Sequence, residues 1–377
     1  MNTEKYTERL AKYTIFAALF CLSAAICWYF RDILVYILTS VVVSLLARPI
    51  MKGLQKISIK GKHLPDWFSA VISLTVLLLL FSCVITLIVP IVSSIVKGLS
   101  LASIERAAAN ISVPLESLNE FLRNTFPSLG NGYRLENTLF NELKKFLDVS
   151  MFSSMLGSAA SLISSIGIGI FAVVFISFFF IRESGLFGKM IAALVPDRHE
   201  ENAKAAMSDI AHLLSRYFSG VVIEMFGVGL LNFLGLFLIA RLGFNSAIGI
   251  AFLTGILNII PYIGPLLGGA LGTLLAIIVK YSSTVPVGLE IGFSWFVIIL
   301  IAIFCFTQII DNFFYQPIIY SSSIKAKPLE IFIVLLMAGH IAGPLGMIIA
   351  IPSYTAIRVI AFRFFGHIKA IQRLQNQ

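Results

Sequence analysis

"GILNIIPYIGPLLGGALG", residues 255–272, interrupts one of the most apolar parts of a 377-residue chain with two prolines, five glycines and one asparagine. A helix in lipid keeps its backbone N–H and C=O groups bonded to one another, because the bilayer core offers no substitute partner. Proline removes a donor and glycine weakens the helix. The stretch therefore predicts a broken helix whose freed groups are met by protein or by water. What surrounds it decides whether that break lies in a membrane.

Composition answers that question. Hydrophobic residues make up 58% of the chain and charged residues only 12%, with a mean hydropathy of +0.94. These values lie far outside the range of a soluble domain and point to an all-α polytopic membrane protein. Cys21, Cys27, Cys83 and Cys305 all sit in apolar runs, so no disulfide or zinc framework is suggested. The net charge of +9 is concentrated beside apolar runs, where the insertion bias of lysine and arginine accounts for it, and nucleic acid is set aside as a partner. The first apolar run lacks a small-residue cleavage site and reads as a retained span.

On a ruler of about 20 apolar residues per span, residues 13–29 and 33–47 form a tight pair around Arg31 and Asp32, and 68–95 a long third span. Arg48, Lys52, Lys56, Lys60 and Lys62 are unopposed by any acid until Asp66, which predicts that residues 48–63 are cytoplasmic. The amino terminus is then inside and residues 96–150 are outside. In that insert Leu115, Leu118, Phe121 and Leu122, then Leu139, Leu143, Phe146 and Leu147, recur at helical spacing between breaks at Pro114, Pro127 and Gly130. Short amphipathic helices, packed on each other or lying on the membrane, are expected. Three regions follow: membrane helices 1–95, the outer insert 96–150 and a transport core 151–377.

In the core, 155–181 forms a span, and a charged helix starting near Pro196 and Asp197 feeds a span at 217–240. Apolar segments 246–258 and 266–279 flank the opening break, 289–310 is a span, and 329–362 is interrupted by "AGHIAGPLG". If 329–362 crossed once, Arg358, Arg363, Lys369 and Arg373 would lie outside with no acid near them. A second hairpin keeps them inside. About eight membrane segments result, including two broken hairpins entering from opposite faces, with both termini cytoplasmic. The tips share a pattern, Gly264-Pro265-Leu266-Leu267-Gly268 and Gly343-Pro344-Leu345-Gly346. Paired discontinuous helices point to a transporter's substrate site, although proline and glycine also kink and pack ordinary spans.

"NIIPYIGPLLGG", "DNFFYQPIIYSSSIKAKPLEIF" and "GHIAGPLGMIIAIPSYTAIRVI" resemble the autoinducer-2 exporter-like (AI-2E) permease family over most of the chain. The resemblance implies an inner-membrane permease, oligomeric, whose members are associated with export of a signalling molecule or with cation/proton antiport.

Ionisable groups at membrane depth are costly, about 2.5–3.5 kcal/mol on insertion scales, and each is a candidate for function. Glu224 shares a helix face with Gly220, Gly227 and Gly235, and reads either as a proton or cation site or as a carboxylate bonded at a helix interface. Asp311 flanks the i+4 stripe Gln308, Asn312, Gln316, as a cation or substrate contact or as a plain interfacial helix end. His340 is a proton relay or a cross-helix bond. Asn258 either accepts freed backbone bonds or touches substrate. With Pro261, Tyr262, Gly264, Pro265, Gly343 and Pro344, these are the candidate pathway residues; no catalytic set, metal-ligand set or cofactor is expected. His199-Glu200-Glu201 does not continue to a zinc helix, and "GLFGKM" lacks the spacing of a phosphate loop. The expected function is gradient-driven movement of a small solute or cation across the bilayer, with a membrane scaffold acting through the insert as the rival.

Overall fold

The computed structural model describes residues 25–98 and 169–365 apart from 57, 60–61, 184, 194, 284–286 and 324–326, together with scattered positions in 13–23 and 106–138. The expected spans at 13–29 and 155–181 lie partly outside the described residues. The expected helix at 139–147 and the last basic residues, Lys369 and Arg373, lie wholly outside them.

Among the described residues the chain is helical, with one two-residue ladder. The elements run α1 (Arg31–Gln55), β1 (Ser58–Ile59), β2 (Lys62–His63), α2 (Asp66–Gly98), α3 (Gly169–Arg182), α4 (Leu186–Ala192), α5 (Glu200–Leu234), α6 (Phe244–Leu257), α7 (Ile263–Ser282), α8 (Phe293–Ile310), α9 (Gln316–Ser323) and α10 (Pro328–Phe365). Among the described residues six helices are long and apolar enough to cross a membrane, Arg31–Gln55, Asp66–Thr86, Asp197–Ile239, Ile263–Ser282, Phe293–Ile319 and Pro328–Phe364, or seven if the bent pair α3 and α4 is one span. This is an all-α multi-pass membrane protein.

The chain divides into two compact units. The first comprises residues 1–74 and 162–187. Here α1 outruns the expected 33–47 span and carries Arg48 and Lys52 on its last turns. The basic segment is therefore helix in its first half and closes in the β1–β2 hairpin, Ser58 opposite His63, which the sequence did not announce. Ala47, Met51, Ala70, Leu74 and Ile181 form its core. Small hydroxyl residues let the backbones approach: Ser40 Oγ donates to Tyr36 O at 2.7 Å and to Val173 O at 3.2 Å, the kind of packing that joins helices in lipid.

The second unit holds residues 75–161 and 188–377. The charged helix and the following span prove to be one element: a turn at Asp197–His199 leads into α5, and a π-turn at Gly235–Ile239 ends it, so that 43 residues run without a break. Glu200 and Glu201 in its first turn complement the helix dipole. The helices α6 and α7 form an antiparallel hairpin. Gly264 lies against Leu257, Gly268 against Thr254, and Leu275 and Ala276 share a cluster with Ala247 and Ile250.

The second hairpin hides inside α10. Its helix is broken at Ala342 (φ −135°, ψ 19°) and Gly343 (φ 59°, ψ −146°). The two arms fold back on each other, as Gly339 on Met347, Leu335 with Ala350 and Ile351, and Tyr354 Oη bonded to Glu330 Oε2 all require. The arms pack Ile331, Leu335, Ala350 and Ile351 on Tyr217 and Val221 of α5 and on Ile319 of α9. At the base, Arg363 Nε donates to Asp209 Oδ2 at 3.0 Å.

The described positions of the insert differ from expectation. Ile111 and Leu115 are buried in the cluster of Leu236, Leu242, Ile250, Leu275, Phe296 and Leu300, and Asn110 Nδ2 donates to Tyr281 O at 2.8 Å. At these positions the insert packs on α6, α7 and α8 instead of solely on itself, since those helices offer apolar surface that Ile111 and Leu115 can cover.

Candidate functional site

Five backbone N–H groups around the break find partners within the protein. Asn258 N–H bonds Thr254 O, Ile259 N–H bonds Ile256 O, and Ile260 N–H bonds Leu257 O. Gly264 N–H returns to Ile260 O at 2.8 Å, and Ile263 N–H bonds Pro261 O at 2.7 Å. The last of these closes a γ-turn around Tyr262, whose φ of 64° and ψ of −49° belong to the rare, strained form of that turn. A tyrosine held there marks strain of the kind stored at functional sites. Pro265 falls within the first turn of α7, where its missing N–H costs nothing. Gly264 is present for close approach, because a methyl group on it would collide with the Leu257 carbonyl oxygen.

Three elements converge beside this turn. The glycine face of α5 packs on the chain running from α8 to α9: Gly235 meets Ile303, Gly227 meets Tyr315, and Gly220 meets Ile319. Glu224 lies on that face, 4% exposed. Asp311 opposes it, fully buried, at the start of a π-turn (Asp311–Tyr315) between α8 and α9. The glycine contacts on either side of Glu224 set this face of α5 against the turn that carries Asp311. Asn258, closing α6, donates Nδ2 to Glu224 Oε1 at 3.2 Å. Gln316 Nε2 donates to Asp311 Oδ2 at 2.8 Å and Gln308 Nε2 to the same oxygen at 3.2 Å. Gln308 Nε2 also donates to Asn312 Oδ1 at 3.1 Å. Asp311 Oδ1 has no hydrogen-bond partner.

The π-turn explains a bond that α-helical spacing forbids. Residues five apart on an α-helix point about 140° away from each other. The wider i→i+5 winding brings Gln316 back over Asp311.

The structure thus gathers Glu224, Asn258, Gln308, Asp311 and Asn312, with Pro261, Tyr262, Gly264 and Pro265 at the adjoining turn. Tyr262, 40% exposed, sets its ring edge-on to Phe332 of α10 at 5.9 Å. His340, Gly343 and Pro344 sit apart, at the tip of the second hairpin. His340 is exposed, and among the described residues no hydrogen bond joins it to the carboxyl pair. Sequence reasoning aligned Gly343 with Gly264, but their roles differ. Gly343 supplies the positive φ that Tyr262 supplies in the first hairpin, while Gly346 is the residue whose methyl would strike the opposite arm, at Ala338 O. Tyr217, buried on α5 seven residues before Glu224, was also missed, because a tyrosine on an apolar face carries no distinguishing signal. Among the described residues no cluster of three or more metal-ligating side chains occurs.

A family model described as "AI-2E family transporter" matches residues 15–363. Three curated proteins of Bacillus subtilis (strain 168) are similar. "Putative transport protein YueF" is 29% identical over 59% of this chain and 56% of its own length; "Putative transport protein YrrI" is 24% identical over 51% and 50%. "Putative transport protein YtvI" is 27% identical over 52% of this chain and 48% of its own length. The matched region spans about half the length of these relatives.

Proposed function

The chain belongs to the AI-2E transporter family, and on that premise we propose that it is a gradient-driven permease for a small solute or cation, working at the turn of the α6–α7 hairpin. The observation that carries this reading is the junction of a strained hairpin turn with two buried carboxyl groups, joined through the Asn258–Glu224 bond. Broken backbone at membrane depth persists only where protein or a wet cavity satisfies it, and intramembrane acids mark ion or substrate pathways. Two hairpins whose tips turn on Tyr262 and Gly343 supply the movable, discontinuous elements that transporters use. The sequence carries no phosphate-binding loop, which favours an ion gradient as the driving force. Signalling-molecule export and Na+/H+ antiport are the specific activities to be separated. The protein does no covalent chemistry in this reading. It resides in the bacterial inner membrane as a homo-oligomer, with both termini and residues 48–63 cytoplasmic.

Purified protein in liposomes, under imposed pH and sodium gradients, tests this directly. Uptake or release of a small polar metabolite or a cation, lost in Gly264→Val, is expected. Absence of any gradient-dependent flux, with folded protein in the bilayer, would overturn it.

A further inference from the structure

We propose that Glu224 and Asp311 form a dyad holding one proton between them, and that this proton, not a metal cation, is the particle the permease couples to. The assignment rests on the permease reading and names the ion bound at that site.

The lone pairs around the dyad lead to it. Asp311 Oδ2 accepts two amide N–H bonds, from Gln316 and Gln308, and Glu224 Oε1 accepts one from Asn258. Asp311 Oδ1 is fully enclosed and receives nothing, on a turn packed against the α5 face that carries the buried Glu224. A buried acceptor left open costs free energy, and two carboxylates buried side by side cannot both stay ionised without a counter-charge. One proton removes both difficulties. Carried by the Glu224 carboxyl group, it donates to Asp311 Oδ1. Asp311 Oδ2 already receives two donors, so the donor still missing is the one at Oδ1.

The neighbours also argue against a metal ion. A metal needs a shell of oxygen ligands, and all three amides turn N–H groups toward the carboxylates. Among the described residues neither carboxyl group has an ion-pair partner. The helices α6, α8 and α9 bring no charged side chain, and Lys280 of α7 lies at the far end of its helix, bonded to Leu289 O at 2.6 Å. On α10, Glu330 is engaged by Tyr354 and Arg358, Arg363 by Asp209, and His340 is exposed at the tip. On α5 itself His212 and Arg216 are exposed and Tyr217 is buried on the face of Glu224; Tyr315 covers Gly227, and Cys305 of α8 is exposed. Release of the proton to water leaves two carboxylates buried side by side. Their repulsion pulls Glu224 from Asp311 and, through Asn258, acts on the hairpin turn.

Infrared difference spectroscopy on the purified, unmodified protein in lipid reads the dyad without any transport assay. One C=O band of a protonated carboxylic acid is expected at neutral pH. It should shift in D2O, disappear at alkaline pH and stay unmoved by added sodium. Glu224→Gln should abolish it, while Asp311→Asn should leave a band that titrates at a different pH. Absence of the band in the unmodified protein, or its loss on adding sodium at fixed pH, overturns the proposal. A band without flux of any solute would sink the permease reading and leave the dyad standing; flux without a band would do the reverse.

Discussion

The side-chain amide of Asn258 reaches back thirty-four positions to bond Glu224 Oε1 at 3.2 Å, fastening the end of α6 to the middle of α5. Both residues are buried. Replacing Asn258 with leucine keeps the bulk and removes the donor, leaving a carboxyl oxygen unanswered. A loss of about 1–3 kcal/mol is expected, read as a lower unfolding temperature in detergent together with reduced flux. Unfolding at the original temperature would show that the bond contributes nothing.

Gly264 and Gly269 lie on the same helix and differ in what a methyl group would meet. At Gly264 it strikes the Leu257 carbonyl, a backbone atom that cannot swing aside; at Gly269 the nearest atom is Phe304 Cβ at 3.8 Å, ordinary contact. Gly264→Ala should impair folding or flux severely, with overpacking worth about 1–3 kcal/mol or more, and Gly269→Ala should be tolerated. Gly272 makes a poor control, because a methyl there meets Phe304 and Thr254. Equal expression and melting of the Gly264 and Gly269 variants would contradict the packing described.

In the second hairpin the two difficulties fall on separate glycines. Gly343 has open space around it but adopts φ 59°, ψ −146°, whereas Gly346 presses on Ala338 O. Gly343→Ala should cost strain alone, about 1–3 kcal/mol. Gly346→Ala should cost more, since the arms must separate. Pairs of spin labels on the two arms should then report a longer distance for Gly346→Ala only; widening in both variants, or in neither, would refute the division.

Arg363 and Asp209 tie the returning arm of α10 to α5, each side chain 44% exposed. Water screens such a pair, so a double-mutant cycle with Arg363→Gln and Asp209→Asn should give a coupling of at most about 1 kcal/mol, reduced further by salt. A large, salt-insensitive coupling would mean that the base is closed to water.

Hydropathy and charge made the helices and both hairpins legible, because apolar length and the lysine and arginine bias act residue by residue. Glu224 and Asp311 stood out for the same reason: a carboxylate among apolar neighbours is visible without coordinates. What remained hidden depends on geometry between segments. The Tyr262 γ-turn, the Gly346 contact and the burial of Ile111 against α6, α7 and α8 follow from how helices meet, and no local pattern encodes that. The continuity of α5 escaped because its charged and apolar halves look like two elements, although nothing at residue 217 breaks a helix.

A π-turn amounts to an α-helix with one residue too many, and Asp311–Tyr315 is such a place. Losing any single codon between positions 312 and 315 would let the strand of backbone relax to ordinary winding while leaving span length and apolar character essentially intact. Gln316 would then stand four positions from Asp311, about 40° round an α-helix against about 140° for five, so the bond between them would be kept. The wider winding is what lets the turn carry its extra residue without moving that amide off the carboxyl group. Two family members could therefore differ by one residue in this turn and still present the same donor to the same acid.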